Sequence, residues 1–300
     1  MQQDPTQHSI IAGMMRLAGI GEEGAMNFLD FLLENGVRWF DHADIYGGGS
    51  CEEIFGRWLA SRRVPREKLI IQSKCGIVPG VCYNASREHI VSSTEGILRR
   101  LRCGYLDYLL IHRPDILWEA DEIAAALDQL TSQGKIRGFG VSNCNPAQME
   151  YLRRSLGMKP EINQIQLSLA FAPSISEGLE TNTYSPNGVS RSMGIIDYCR
   201  MEKIVIQAWS PLQHGTFAGT FLDSPAYGPL NDRLREIAAR HQVPKAAVAA
   251  AWLTRIPPAT QVICGSSSRE HFSEMLAGRN LRLSREEWYA LYMNAGYALP

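Results

Sequence analysis

The stretch Val37-Arg38-Trp39-Phe40-Asp41-His42-Ala43-Asp44-Ile45-Tyr46-Gly47-Gly48-Gly49-Ser50 contains the unit from which the rest of the chain is built. Residues 37–42 are a short run rich in aromatic and aliphatic side chains that closes on the carboxylate of Asp41 and on His42. A glycine-rich turn carrying a phenol follows, and residues 52–61 then read as an amphipathic helix. A short apolar run closed by polar residues and glycine is the pattern of a strand buried on both faces. The turn lacks the Lys-Ser/Thr that follows a phosphate-binding loop, so Gly47-Gly48-Gly49 reads as a flexible connection with Ser50 as the helix N-cap. A calcium loop spanning Asp41 to Glu52 is excluded, because Ala43, Ile45 and Tyr46 stand where oxygen ligands and the turn glycine are needed.

Outward from this unit the same alternation recurs. Strand-like runs cover residues 10–17, 37–42, 69–74, 105–112, 136–142, 161–167, 204–209 and 261–265. Helical segments lie between them at 22–35, 52–61, 87–102, 120–133, 146–155, 193–201 and 231–253, and 270–277 follows the last run. Pro244 divides the 231–253 segment into two helices, because proline has no N–H to give. Eight strand–helix repeats without a polar linker predict one α/β domain over 1–300, a TIM-type (β/α)8 barrel. A doubly wound sheet is the alternative, but Met15-Arg16-Leu17-Ala18-Gly19 after the first run is not a G-x-G-x-x-G fingerprint. Two segments exceed the barrel pattern: 172–190 reads as a long loop after the sixth strand, and 285–293 as an extra C-terminal helix.

Asp41, Tyr46, Lys74 and His112 fall at or just after the ends of strands two, three and four. In a parallel barrel those ends share the face where active sites lie. Together they suit carbonyl reduction, which leaves negative charge on oxygen and needs a proton. A tyrosine at its ordinary pKa of about 10 is a weak acid near neutrality. An adjacent ammonium lowers that value, by roughly 1–3 units at hydrogen-bonding range. Asp41 would hold Lys74 in place, and His112 would orient the carbonyl.

Asp41-His42-Ala43-Asp44-Ile45-Tyr46-Gly47, Ser73-Lys74-Cys75-Gly76 and Leu110-Ile111-His112-Arg113-Pro114-Asp115 together resemble the aldo-keto reductase family. Gly138-Phe139-Gly140-Val141-Ser142-Asn143 and Ala208-Trp209-Ser210-Pro211-Leu212 extend the likeness over about residues 13–277. The details are most similar to its bacterial oxidoreductase branch. The resemblance implies a barrel binding NADPH ahead of NADH, with Tyr46 as proton donor, Lys74 and Asp41 tuning it, and His112 orienting the substrate.

It further implies Ser142, Asn143 and Gln164 on the nicotinamide carboxamide, and Trp209 stacked on the ring. Ser210, Leu212 and His214 would lie along the pyrophosphate, with Asp41 and the backbone of Met14 and Met15 nearby. Gly265, Ser266, Ser267 and Ser268, with Arg269 or His271, would receive the adenosine 2′-phosphate. Many members carry a lysine where Gly265 stands, which leaves that charge to Arg269. Trp118, Phe171, Tyr184 and Trp209 are candidates for a substrate-pocket wall.

Bulk properties narrow the partners. The chain has 300 residues, is 45% hydrophobic and carries a formal net charge of -1, so no strong field draws nucleic acid or an acidic membrane. The pairs Arg62-Arg63 and Arg99-Arg100 read as solvated residues complementing helix ends. Seven cysteines without C-x-x-C or Cys/His metal spacing predict no metal site and a reducing, cytoplasmic setting, with Cys144 and Cys264 as small buried thiols. Residues 1–5 carry no secretory pattern. The expected partner is a small-molecule carbonyl compound, and the expected state a monomer or weak homo-oligomer. Two alternatives are a cofactor-binding regulatory or sensor subunit and an aldolase-type barrel with a Schiff base on Lys74.

Overall fold

The computed structural model describes residues 9–215, 218–257 and 259–299. The N-terminal reading at residues 1–5 lies outside them. The strands are β1 (Ile10–Gly13), β2 (Trp39–Asp41), β3 (Ile70–Cys75), β4 (Leu106–Ile111), β5 (Ile136–Ser142), β6 (Ile162–Gln166), β7 (Val205–Trp209) and β8 (Thr260–Cys264). They hydrogen-bond in chain order, and β8 lies beside β1, closing a parallel barrel. The (β/α)8 expectation holds. All six residues of β3 and all five of β8 are buried, as strands covered on both faces require.

Helices α1 (Gly21–Glu34), α2 (Ser50–Arg62), α3 (Arg87–Leu101), α4 (Ala120–Ser132) and α5 (Pro146–Leu156) follow the first five strands. The chain divides into two compact units. One comprises Ile11–Gln164 and Gly265–Arg269; the other comprises Ile165–Cys264 with the described parts of Met1–Ile10 and Glu270–Pro300.

In the first unit, Trp39 stacks on Tyr108 at 5.5 Å between ring centroids and donates its indole N–H to Gln72 Oε1 at 2.8 Å. Phe40, Phe55 and Trp58 pack between β2 and α2. Gly56 lets α2 approach α3 closely: a Cβ there would lie 2.2 Å from the Arg100 carbonyl oxygen.

The second unit holds α6 (Pro173–Leu179), α7 (Ile195–Glu202), α8 (Gly228–His241) and α9 (Lys245–Thr254). It also holds most of α10 (Arg269–Leu276), and α11 (Arg285–Asn294). The break at Pro244 is present, with Pro244 as the N-cap of α9.

Several sequence expectations need correction. The first strand ends at Gly13, and residues 17–20 wind into a 3-10 turn. Ser50 is not an N-cap: its hydroxyl donates back to Gly47 O at 2.7 Å, and Gly49 takes the cap position in the left-handed region. A hairpin pairing Ile77–Val78 with Cys82–Tyr83 had no strand signal of its own.

The 172–190 segment is not simply a loop. It begins with α6, which carries Glu177, and the chain then folds over that carboxylate. Glu177 accepts from the backbone N–H groups of Arg191, Ser192 and Gly194 at 2.8, 2.9 and 2.9 Å and from the Ser192 hydroxyl. Burial works against this carboxylate, yet the hydrogen bonds outweigh it and hold its pKa below the ordinary value.

Candidate active site

Strand geometry brings the first three side chains together. Residues two apart in a strand share a face, so Gln72 and Lys74 of β3 both point toward Asp41, the last residue of β2. The fully buried Lys74 ammonium donates to Asp41 Oδ1 at 2.7 Å, Asp41 Oδ2 at 2.9 Å and His42 O at 2.7 Å. Gln72 and Gln164 donate to Asp41 Oδ1 at 2.6 and 3.0 Å. The carboxylate is thus held by three side chains, and Lys74 is held by the carboxylate.

Tyr46 opens the 3-10 turn over residues 46–49, in which Gly47 and Gly48 take left-handed φ values of 58° and 63°. That turn swings the phenol over β3, and Lys74 Nζ donates to its oxygen at 3.2 Å. An ammonium has only donors, so the phenol oxygen must accept from it. The phenolic O–H is therefore left to donate elsewhere. His112 follows β4, with its backbone N–H on Cys75 O at 2.8 Å and its ring edge-on to Tyr46 at 6.0 Å.

The charges in this site settle as follows. Burial raises the Tyr46 pKa and Lys74 pulls it down, with burial the larger effect. The expected net lowering by the lysine is therefore corrected: in the protein alone the phenol stays protonated above its ordinary value. Burial disfavours the Lys74 ammonium, but Asp41 and Tyr46 outweigh that and raise its pKa. Burial first, then Lys74 and Arg113, hold His112 well below its ordinary value, so its imidazole is neutral. His112 Nδ1 has no hydrogen-bond partner among the described residues.

A second polar set lies on the outer face of β3. Ser73 donates to Glu52 Oε1 at 2.8 Å, and Arg100 reaches Glu52 Oε2 at 2.8 Å. Arg100 also lies across Gly49, where an added Cβ would meet its Cδ at 2.8 Å. Arg100 is therefore not a solvated helix-end residue but a tie between α3, the buried Glu52 and the turn that carries Tyr46. Arg62 pairs with Asp30 at 2.7 Å. Beside this set, burial and then the Glu52 charge raise Asp44 to about 6.

The residues assigned to a cofactor fall into separate groups. Ser142 donates to Gln164 O at 2.9 Å, and Asn143, at φ 59°, donates to Ser142 Oγ at 2.7 Å. Met14 has its N–H on Asp41 O and its carbonyl occupied by Leu17 N–H. Met15 O accepts from the Cys51 thiol at 3.6 Å.

Gly265, Ser266, Ser267 and Ser268 lead into α10. Arg269, its first residue, is tied back to Asn27 O at 2.9 Å and lies over Phe31. The guanidinium nearest Gly265 is one the sequence reading did not single out: Arg16 Nη1 donates to Gly265 O at 3.1 Å. A Cβ at Gly265 would stand 3.0 Å from Arg16 Nη1, so glycine at 265 leaves room for this arginine.

In the second unit, Trp209 ends β7 and is half-buried; Ser210 is in the left-handed region at φ 53°. Leu212 O accepts from Phe221 N at 3.1 Å, and His214 lies against Tyr227 at 5.6 Å. His271 is exposed on α10. Of the candidates for a pocket wall, Trp118 and Phe171 are half-buried, and Tyr184 is fully exposed and walls nothing. Cys144 and Cys264 are buried thiols as expected. No helix among the described residues is long and apolar enough to cross a membrane.

Comparison with known proteins bears on the family and the fold. The sequence profile of the aldo/keto reductase family matches residues 9–292. The chain is similar to oxidoreductase YdhF of Escherichia coli, 32% identical, with 99% of this chain and 97% of the relative covered. It is also similar to 6-dehydroglucose reductase of Agrobacterium fabrum, 32% identical over 94% of this chain and 92% of the relative. Among solved structures, a thermostable aldo-keto reductase in complex with the inhibitor epalrestat superposes with a TM-score of 0.76 at 25% identity. That match covers 95% of this chain and 94% of the other.

Proposed function

The chain belongs to the aldo/keto reductase family, and on that premise we propose that it reduces aldehydes or ketones to alcohols with NADPH, using Tyr46 as the general acid. The observation that carries this reading is the Lys74–Tyr46 contact at 3.2 Å, in which the ammonium occupies a lone pair of the phenol and leaves its proton to give. As charge grows on the carbonyl oxygen, Tyr46 Oη releases its proton, and the new phenolate stays against the Lys74 ammonium. Asp41 keeps Lys74 charged and fixed through the pair of contacts at 2.7 and 2.9 Å. His112, neutral and edge-on to Tyr46, offers one N–H to the same oxygen. General acid assistance of this kind contributes about 10²–10⁴ in rate.

Bound NADPH supplies the hydride. The residues present fit such a cofactor. Asn143, turned into the left-handed region, and Ser142 form a polar corner beside Gln164 for a carboxamide. The 265–268 loop enters α10 with the Arg16 guanidinium against it, a setting suited to a phosphate. The preference for NADPH rests on Arg16, with Arg269 second because it is already tied to α1. Trp209, Ser210, Leu212, His214 and His271 keep the cofactor roles that resemblance gives them, as part of this proposal.

A Schiff-base role for Lys74 fits poorly. A nucleophilic amine must be unprotonated, and this one is held protonated by Asp41. The test is Tyr46→Phe. The variant should bind NADPH with unchanged fluorescence titration, while kcat for a reactive aldehyde falls at least a hundredfold. Turnover within threefold of the parent would remove Tyr46 as the acid.

A further inference from the structure

The second unit contains a cavity of about 440 Å³ that the proposed reaction does not use. Its walls come from α6, α7, the segment before β8, and α11, all within that unit. That volume is on the scale of a small-molecule site, in the range of roughly 300–1,000 Å³. Ile175, Leu179, Ile196 and Ile256 make its body aliphatic.

Its charge is one-sided. Arg200, Arg255 and Arg285 line it, against the single carboxylate of Asp197. Asp197 faces Arg200 at 3.6 Å with both side chains largely exposed, a weak pair. Arg255 and Arg285 form no ion pair to a carboxylate among the described residues.

Ser174 also lines the cavity, but its hydroxyl oxygen is buried away from the open space. The floor is rigid, because Trp252 and Trp288 stack at 4.8 Å and exchange indole N–H···O bonds of 3.0 and 2.9 Å. Trp288, one of the two, lines the cavity, so the space is preformed rather than opened by a ligand.

We infer that this cavity binds an aliphatic monocarboxylate, its chain lying along Ile175, Leu179 and Ile196 and its head group meeting the Arg255 and Arg285 guanidiniums. Guanidinium forks match a carboxylate in two parallel hydrogen bonds. A neutral ligand would leave both arginines unmatched and so bind less tightly.

The structure supplies its own blocking substitution. Gly178 lines the cavity, and a Cβ there meets only Asp197 Oδ2 at 3.8 Å, so Gly178→Leu fills the space without a clash at the backbone. The experiment is calorimetric titration of the full-length protein with octanoate and with octanamide, at low and high salt. It compares the parent, Gly178→Leu and the double variant Arg255→Gln/Arg285→Gln. Arg255 and Arg285 are exposed, so their double variant keeps the test informative if the leucine is poorly tolerated.

Octanoate should bind the parent, at least tenfold more weakly to either variant and more weakly at high salt. Octanamide should bind the parent at least tenfold more weakly than octanoate, and aldehyde reduction should be unchanged in both variants. Octanoate affinity equal in all three proteins would place the acid elsewhere and overturn the inference. So would equal affinity for acid and amide, or no binding by the parent.

Discussion

At the scale of single residues, the proposed chemistry depends on which polar groups keep a direction open. Lys74 spends its N–H groups on Asp41, His42 O and Tyr46, so only the phenol retains a proton that can leave. Gln72 and Gln164 fix the carboxylate from two further strands. In the proposed function, cofactor choice also comes down to one side chain. Arg16 lies against Gly265, where other members place a lysine, and its guanidinium is exposed. Arg16→Gln should raise KM for NADPH about tenfold, equivalent to roughly 1.4 kcal/mol, and leave KM for NADH unchanged. Steady-state assays with both cofactors check this, and equal changes in the two values would show that Arg16 does not read the 2′-phosphate. Gln72 was not singled out in the sequence, although strand periodicity places it on the Lys74 face. Neither was Arg16: its partner lies 249 residues away, and only closure of the barrel brings the two together.

At the scale of elements, α6 and the segment folded over it depend on the Glu177 carboxylate, which gathers three backbone N–H groups and two hydroxyls. Glu177→Ala leaves those donors without an acceptor. We expect a loss of roughly 2–4 kcal/mol in local stability and faster limited proteolysis within residues 181–193, while the tetrad geometry and NADPH titration stay intact. Unchanged cleavage would show that the segment is held by other contacts.

The sequence hid this element because α6 has only seven residues, with Ser, Gly and Pro among them, too few for a helical period to emerge. Longer elements were legible. Strand β5 was expected over the residues it occupies, and Pro244 marked the break between α8 and α9. Most ends of the other strands moved inward by one to four residues, while β3 runs one residue further, to Cys75, and β8 starts one residue earlier, at Thr260; backbone turns rather than apolarity set these boundaries.

At the scale of the whole molecule, the buried ionisable groups set how the fold responds to pH. Burial, and then Lys74, lower His42 to about 3, and neither ring nitrogen has a partner among the described residues. The unfolded chain takes up that proton near 6.5, the folded one only near 3. His42 therefore contributes stability above pH 6.5, and this is lost as pH falls toward 3. The slope is at most about 1.4 kcal/mol per pH unit. Urea unfolding at pH 7 and pH 4.5 should show a smaller gap for His42→Leu than for the parent; equal gaps would mean that His42 is not buried neutral.

The alternation of apolar runs and helices announced the closed barrel, and the barrel places Asp41, Tyr46, Lys74 and His112 together. The balance of burial against the lysine charge was not legible, because a sequence carries no measure of how dry a site is. That balance is the central claim, and the pH dependence of kcat for aldehyde reduction at saturating NADPH tests it most directly. With a phenol whose pKa burial has raised, reduction should hold level through neutral pH and decline only above about pH 10, where the acid loses its proton. A decline with a midpoint near pH 7, absent in Tyr46→Phe, would contradict it.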